Sequence, residues 1–371
     1  MKRLTIVCLT TLIISGFVLV LQINLTHAAG VSGIISSNTT WTPANSPYDL
    51  TGNILVNDGV TLTVEPGVTV NLGSFYIMVN GTLRAAGDGI NLIYFNSGQI
   101  TFTEFSTDWN ESASTGSIIE NAILDSILTL SSSPKLHICT TYSAINIQTK
   151  DGIPIVSKNT IRGGISVGMG SMPVISENTV LDVGISLFLT NATVNGNTIT
   201  GTSTGITAYT DYSGTGWYNC TSLIEGNLIS GNTYGIVIRE QQGSTIGAPI
   251  VRNNTIVNNG YGISISWIGI AAPNPTILYN NIYGNSNYNI RLNIPTDVNA
   301  TYNWWGTADT QPIDQSIYDY YDDFNLGKVI HSPFLTAENV IPEFPSNLLM
   351  VLIVIFLSAG ALFSRKKIRG N

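Results

Sequence analysis

Charge is scarce in this chain. Asp, Glu, Lys and Arg make up 10% of its 371 residues, against about 25% in ordinary soluble domains. The balance is acidic, with a net charge of −8 and a pI near 4.8. That excludes a nucleic-acid binder, whose affinity rests on Lys and Arg neutralising phosphates. Histidine and cysteine number 3 each and methionine 5, so a soft-metal centre has little to draw on. His137 and His331 each lack a second His or Cys at metal-ligand spacing. No Gly-His-Gly or Arg-Ile-Lys element is present. Helical periodicity is missing from the whole central region, which excludes βαβ units.

What fills that region is repetition. An Asn followed shortly by Gly-Ile recurs at Asn159, Asn178, Asn197, Asn227, Asn254 and Asn281, with spacings of 19, 19, 30, 27 and 27. In the last four copies the Asn-to-Gly offset is constant at eight, with Asn289 replacing Gly in the last. The apolar runs between are short and β-branched with a period of two, as in Ile165-Ser-Val167 and Ile263-Ser-Ile265. A unit of about 20 residues with short strands cannot close on itself. It can wind into a parallel β-helix with coils ~4.8 Å apart. Each inward Ile or Val then stacks on its equivalents. The Asn side chains form a ladder at one corner, where Asn also tolerates a left-handed backbone. The Gly of Gly-Ile is expected to make a second tight turn. The fold class is therefore all-β, a single wound solenoid.

The repeats, from about residue 31 to 335, resemble the right-handed parallel β-helices of the pectin lyase-like superfamily, in the form found in archaeal and bacterial surface proteins. That resemblance implies handedness and fold. It implies no single activity, because the architecture hosts lyases, hydrolases and adhesins. The repeats also resemble those of the copper-delivery β-helix protein of nitrous-oxide reductase maturation, but the His- and Met-poor sequence gives copper little to bind.

The ends read as address signals. Residues 1–28, with Lys2, Arg3, an apolar stretch and small residues at Thr26 and Ala28, form a signal peptide or an uncleaved signal anchor. Residues 29–105 are a cap and first coils, 106–302 the repeats, 303–335 a closing coil with Trp304 and Trp305 as a lid, and 336–347 a linker. Residues 348–364 are an apolar transmembrane or sorting helix, and 365–371 a basic cytoplasmic tail. The Pro-Glu-Phe at 342–344, the apolar run and the basic end resemble a PEF-type sorting signal of archaeal surface proteins. That implies a membrane anchor or a sorting transpeptidase as partner, with the β-helix exported to the cell surface. The cysteines left after export, Cys139 and Cys220, lie about four coils apart, roughly 19 Å, too far for a disulfide unless the 209–221 loop folds back.

Three insertions interrupt the repeats in the same place, after the Gly-Ile strand: 209–221, 240–249 and 267–275. Same-position loops on stacked coils form one wall. It carries Tyr209, Tyr212, Trp217, Arg239, Gln241 and Trp267. Flat rings and planar polar groups suit an extracellular glycan. Asp211, Arg239 and Glu240 are the one acid–base grouping that can be drawn, which a polysaccharide lyase or glycoside hydrolase would need. Asp319, Asp322 and Asp323 form an acidic cluster, to be read as a solvated turn or as a Ca²⁺ site; no other cofactor is expected. The loop at 107–115 is expected to protrude, with Trp109 near its tip.

Overall fold

A computed structural model describes residues 29–168, 170–210, 221–240, 249–268 and 272–340. The signal segment, the Pro-Glu-Phe motif and the apolar 348–364 run lie outside the described residues. Among the described residues no helix is long and apolar enough to cross a membrane.

Period-two alternation and β-branched residues give strands of mostly three residues, and every strand-to-strand pairing is parallel. The chain winds into a parallel β-solenoid whose coils have three faces. The first face is a sheet of 11 strands, from Thr39–Trp41 to Thr276–Leu278. The second and third faces belong to one sheet of 21 strands. They are joined because the long early strands Tyr48–Val56, Thr69–Val79 and Ile93–Phe102 run round the corner between them. Later coils break there, and their second and third faces are separate short strands, such as Thr255–Val257 and Tyr261–Trp267.

Inside, equivalent residues stack in files. Val156, Ile175, Val194, Ile224, Val251 and Ile277 line the first face. Ile165, Ile185, Ile206, Ile236, Ile263 and Ile290 line the third. All are buried and belong to one core. Each such side chain contributes roughly 1.5–3 kcal/mol by leaving water, so the fold is stabilised evenly along its length. Trp305, Ile313 and Ile317 continue this core into the closing segment, where a short helix, Thr310–Gln315, covers the end.

The first corner, between the first and second faces, carries the expected ladder with one member exchanged. Asn159, Asn178, Asn197, Asn227, Asn254, Asn280 and Asn303 form a continuous file. Each Oδ1 accepts the preceding Asn's backbone N–H and its Nδ2, mostly at 2.9 Å. Each Nδ2 also donates to a backbone carbonyl one coil back, from Leu136 for Asn159 to Ile277 for Asn303. Asn281 is not in this file. It pairs with Thr255, whereas Tyr261 pairs with Tyr288. The eleventh coil thus has one extra residue at its second corner, and that residue made the constant offset point to Asn281. The file begins at Cys139, whose backbone N–H donates to Asn159 Oδ1 and whose thiol donates to the Ile119 carbonyl at 3.6 Å. The thiol stands in for an amide.

The corner conformation was expected of the Asn, but its predecessor adopts it. Ile138, Lys158, Glu177, Gly196, Gly226, Asn253, Tyr279 and Tyr302 all have φ between 48° and 70°. The glycines of Gly-Ile are needed for a different reason. A Cβ on Gly205, Gly235 or Gly262 would lie 2.5–2.6 Å from the backbone carbonyl of the next coil. These three permit close stacking, whereas Gly164, at φ 77°, does make the expected left-handed turn. The second corner repeats the first corner's device: Thr202, Asn232, Asn259 and Asn285 form a second ladder, preceded by Gly201, Gly231, Asn258 and Gly284 with φ of 56–72°.

Candidate functional site

The third corner lies between the end of the third face and the next coil's first face, and carries the long insertions. Strand ends at Tyr209, Glu240 and Trp267 lead into them, and strands beginning at Leu223, Ile250 and Thr276 follow. The three therefore leave consecutive coils at one corner. Asp211, Tyr212, Trp217 and Gln241, within these loops, lie outside the described residues.

The described members divide by strand alternation. Tyr209 pairs with Arg239, and Arg239 with Ser266; these positions face outward. Arg239 is exposed, and the Tyr209 ring tilts against Phe188 at 6.0 Å. Glu240 pairs with Trp267 and faces inward. Glu240 is fully buried. Trp267 packs against the core, and its Nε1 is buried without a hydrogen-bond partner. Neighbouring positions on one strand thus send Arg239 and Glu240 to opposite sides of the wall, and the structure does not bring them together as an acid–base pair.

At the closing end, the three aspartates bind backbone rather than one another's charge. Asp319 is buried and accepts the N–H of Tyr321 at 3.0 Å and of Val329 at 2.8 Å. Asp322 accepts the Asp319 N–H, and Asp323 accepts from Asn325. Their oxygens shape a turn. Among the described residues no group of three or more His, Cys, Asp or Glu side chains could hold a metal ion. The 107–115 loop folds back instead of protruding: the Trp109 indole donates to Glu111 and its ring lies 5.3 Å from Lys135 Nζ and 5.8 Å from the Arg84 guanidinium carbon.

Residues 107–319 match the model of the family described as periplasmic copper-binding protein (NosD). The chain belongs to the NosD family. No curated protein matches it, and no solved structure does.

The NosD description raises copper, and the described residues do not fit it. Cys139 is a free, fully buried thiol, and burial pushes its pKa up to about 12. It stays protonated and occupied with the Ile119 and His137 carbonyls, whereas copper takes thiolate. His137 Nδ1 lies 2.8 Å from Ser157 Oγ. Burial, then the charge of Lys135 and also Lys158, holds its pKa below the ordinary value, and those cations oppose a metal ion beside it. His331 Nε2 is 3.0 Å from Asp314, in the closing segment. Six coils separate the file of His137 from that of Leu278, roughly 29 Å at the usual strand spacing. The two histidines cannot share an ion.

Alternation along Ile236, Ile238 and Glu240 was the available signal that Glu240 points inward. The second ladder was also missed. Its signal is a dipeptide, Gly-Asn or Asn-Asn, at 231–232, 258–259 and 284–285, identical to that at 226–227 and 253–254.

Proposed function

We propose that this NosD-family chain is an exported β-helix held at the cell envelope, acting as a structural and adhesive module that binds glycan along its third corner. The observation that carries the reading is the register at that corner: insertions on consecutive coils, with outward Tyr209 and Arg239 directly stacked at their base. Ring edges and a guanidinium beside stacked loops suit the C–H faces and hydroxyls of a sugar chain. The family's periplasmic description supports export, and residues 1–28 supply a signal. The apolar run at 348–364 would anchor the chain or be exchanged by a sorting enzyme.

The rival is a polysaccharide lyase or glycoside hydrolase. It requires Arg239 and Glu240 to act on one substrate, and their opposite orientation argues against that. Glycan-array binding together with reducing-end and unsaturated-product assays on the full chain separates the two. Binding without product is the expected result. Ultraviolet-absorbing or reducing product would overturn the adhesive reading, and absence of both signals would reduce the chain to an envelope spacer.

A further inference from the structure

The third corner is different in earlier coils. There the connection after Ile93–Phe102 runs through residues 103–117 and carries the 107–115 loop, while the turns after Ile127–Leu130 and Ile145–Ile147 are short. Together they enclose a pocket of about 760 Å³, lined by Glu104, Phe105, Ser132, Gln148, Thr149 and Lys150 among others. It is walled on one side by the folded-back loop, through Asp108, whose carboxylate accepts the Ser133 N–H at 2.6 Å.

Two features of its floor are unusual. Ser132 is 6% and Thr149 1% exposed, and neither hydroxyl has a hydrogen-bond partner. A buried hydroxyl left unsatisfied costs about 1–3 kcal/mol, and two adjoining coils carry the cost at the same place. Over them lies Gly152, where a Cβ would stand 2.0 Å from Thr149 Oγ1 and 3.0 Å from Ser133 Oγ. Only glycine fits against that floor. At the rim, Phe105 is 66% exposed.

We propose that this pocket binds one unit of a neutral saccharide. The lining chooses the class. Glu104 and Asp108 outnumber Lys150 by one charge, which disfavours an anion. Hydroxyls and the Gln148 amide disfavour an apolar ligand. Hydroxyls without partners, a planar amide and one open aromatic face match a pyranose, which offers hydroxyls on its edge and C–H groups on its face. The proposal shares its ligand class with the adhesive reading but sits on earlier coils than the insertions at 209–221, 240–249 and 267–275, so the two can fail separately.

The test is titration of the full chain with cello-, malto-, manno- and chito-oligosaccharides, using wild type, the Ser132→Ala/Thr149→Val double variant, Phe105→Ala and Arg239→Ala. The expected result is binding by wild type in two components, one at least tenfold weaker in the double variant and in Phe105→Ala, the other weakened only in Arg239→Ala. The double variant should melt no lower than wild type, because the hydroxyls it removes bond nothing in the free protein; that separates lost recognition from lost folding. Saccharide binding weakened only by Arg239→Ala would overturn the pocket and keep the loop face. Binding weakened only by the pocket variants supports the pocket and removes the loop face. No binding by wild type to any of the four sugars overturns both.

Discussion

The first and third corners of the same coils follow opposite rules. At the first, every coil from the sixth onward presents an Asn in the same place, bonded to the coils before and after. At the third, neighbouring coils differ in length and content: Ser171, Thr190 and Ser222 each donate to a carbonyl one coil back, while the Ser132, Thr149 and Thr210 hydroxyls lie buried without partners. A corner whose groups bond to the next coil cannot change length without breaking two neighbours. A corner tied only at the point where the chain re-enters the first face can accept an insertion before that point. Amide ladders therefore hold two edges of the column, and length varies at the third.

The sharpest way to break this contrast is at the ladder. Asn227→Ala removes the acceptor of Asn197 N–H and Nδ2 and the donor to the Val194 carbonyl. It should destabilise the chain by about 3–5 kcal/mol in denaturant unfolding. Asn280→Ala should act alike, and a loss below about 1 kcal/mol at either would show that the ladder is decorative.

Cys139 comes next, because it tests whether the ladder's first position asks for an amide. In a Cys220→Ser background, the Cys139 thiol should resist alkylation at pH 8 in the folded chain and react once unfolded. Its folded pKa is raised from 9.0 to about 12. The raised value favours the protonated thiol in the fold, so this contribution is complete below pH 9 and declines as pH rises towards 12. Cys139→Asn should lack that alkaline decline relative to the parent and should retain stability. A fall of several kcal/mol on substitution would deny the equivalence.

Asn281 makes the comparison inside a single dipeptide. It holds Asn339 through reciprocal bonds of 2.8 and 2.9 Å. Asn281→Ala should cost about 1 kcal/mol, well below Asn280→Ala, and speed proteolysis near 339. Equal losses at the two positions would contradict the register. Ile138, a β-branched residue at φ 51°, should gain up to about 1 kcal/mol on replacement by Gly. The smallest effect is expected at the exposed Arg252–Glu225 pair: Arg252→Ala should change stability by under about 1 kcal/mol.

The solenoid was legible because its signal is periodic: Ile165-Ser-Val167 and its five relatives show one face in and one out, and Asn-x-Ile marks a corner. Asn281 shows where that reading slips. Two adjacent asparagines satisfied different halves of the pattern, and only the pairing of Asn281 with Thr255 decides between them. Asn232, Asn259 and Asn285 escaped because the repeat was read once per coil, although the same chemistry turns each coil twice. The pocket under Gly152 could not be read from sequence. Its parts come from three turns of the least regular stretch, and what unites Phe105, Ser132 and Thr149 is only that the coils bring their turns to one corner.

The strap that ends at Asn339 has a mechanical consequence. After covering the end of the column, the chain doubles back along the second face, and Asn339 Nδ2 reaches the Tyr279 carbonyl and Asn253 Oδ1. Tension transmitted through residue 340 is therefore taken up on the flank, across two coils in shear, before it can peel the lid from the core. A tether joined in this way pulls on the side of the rod rather than its tip.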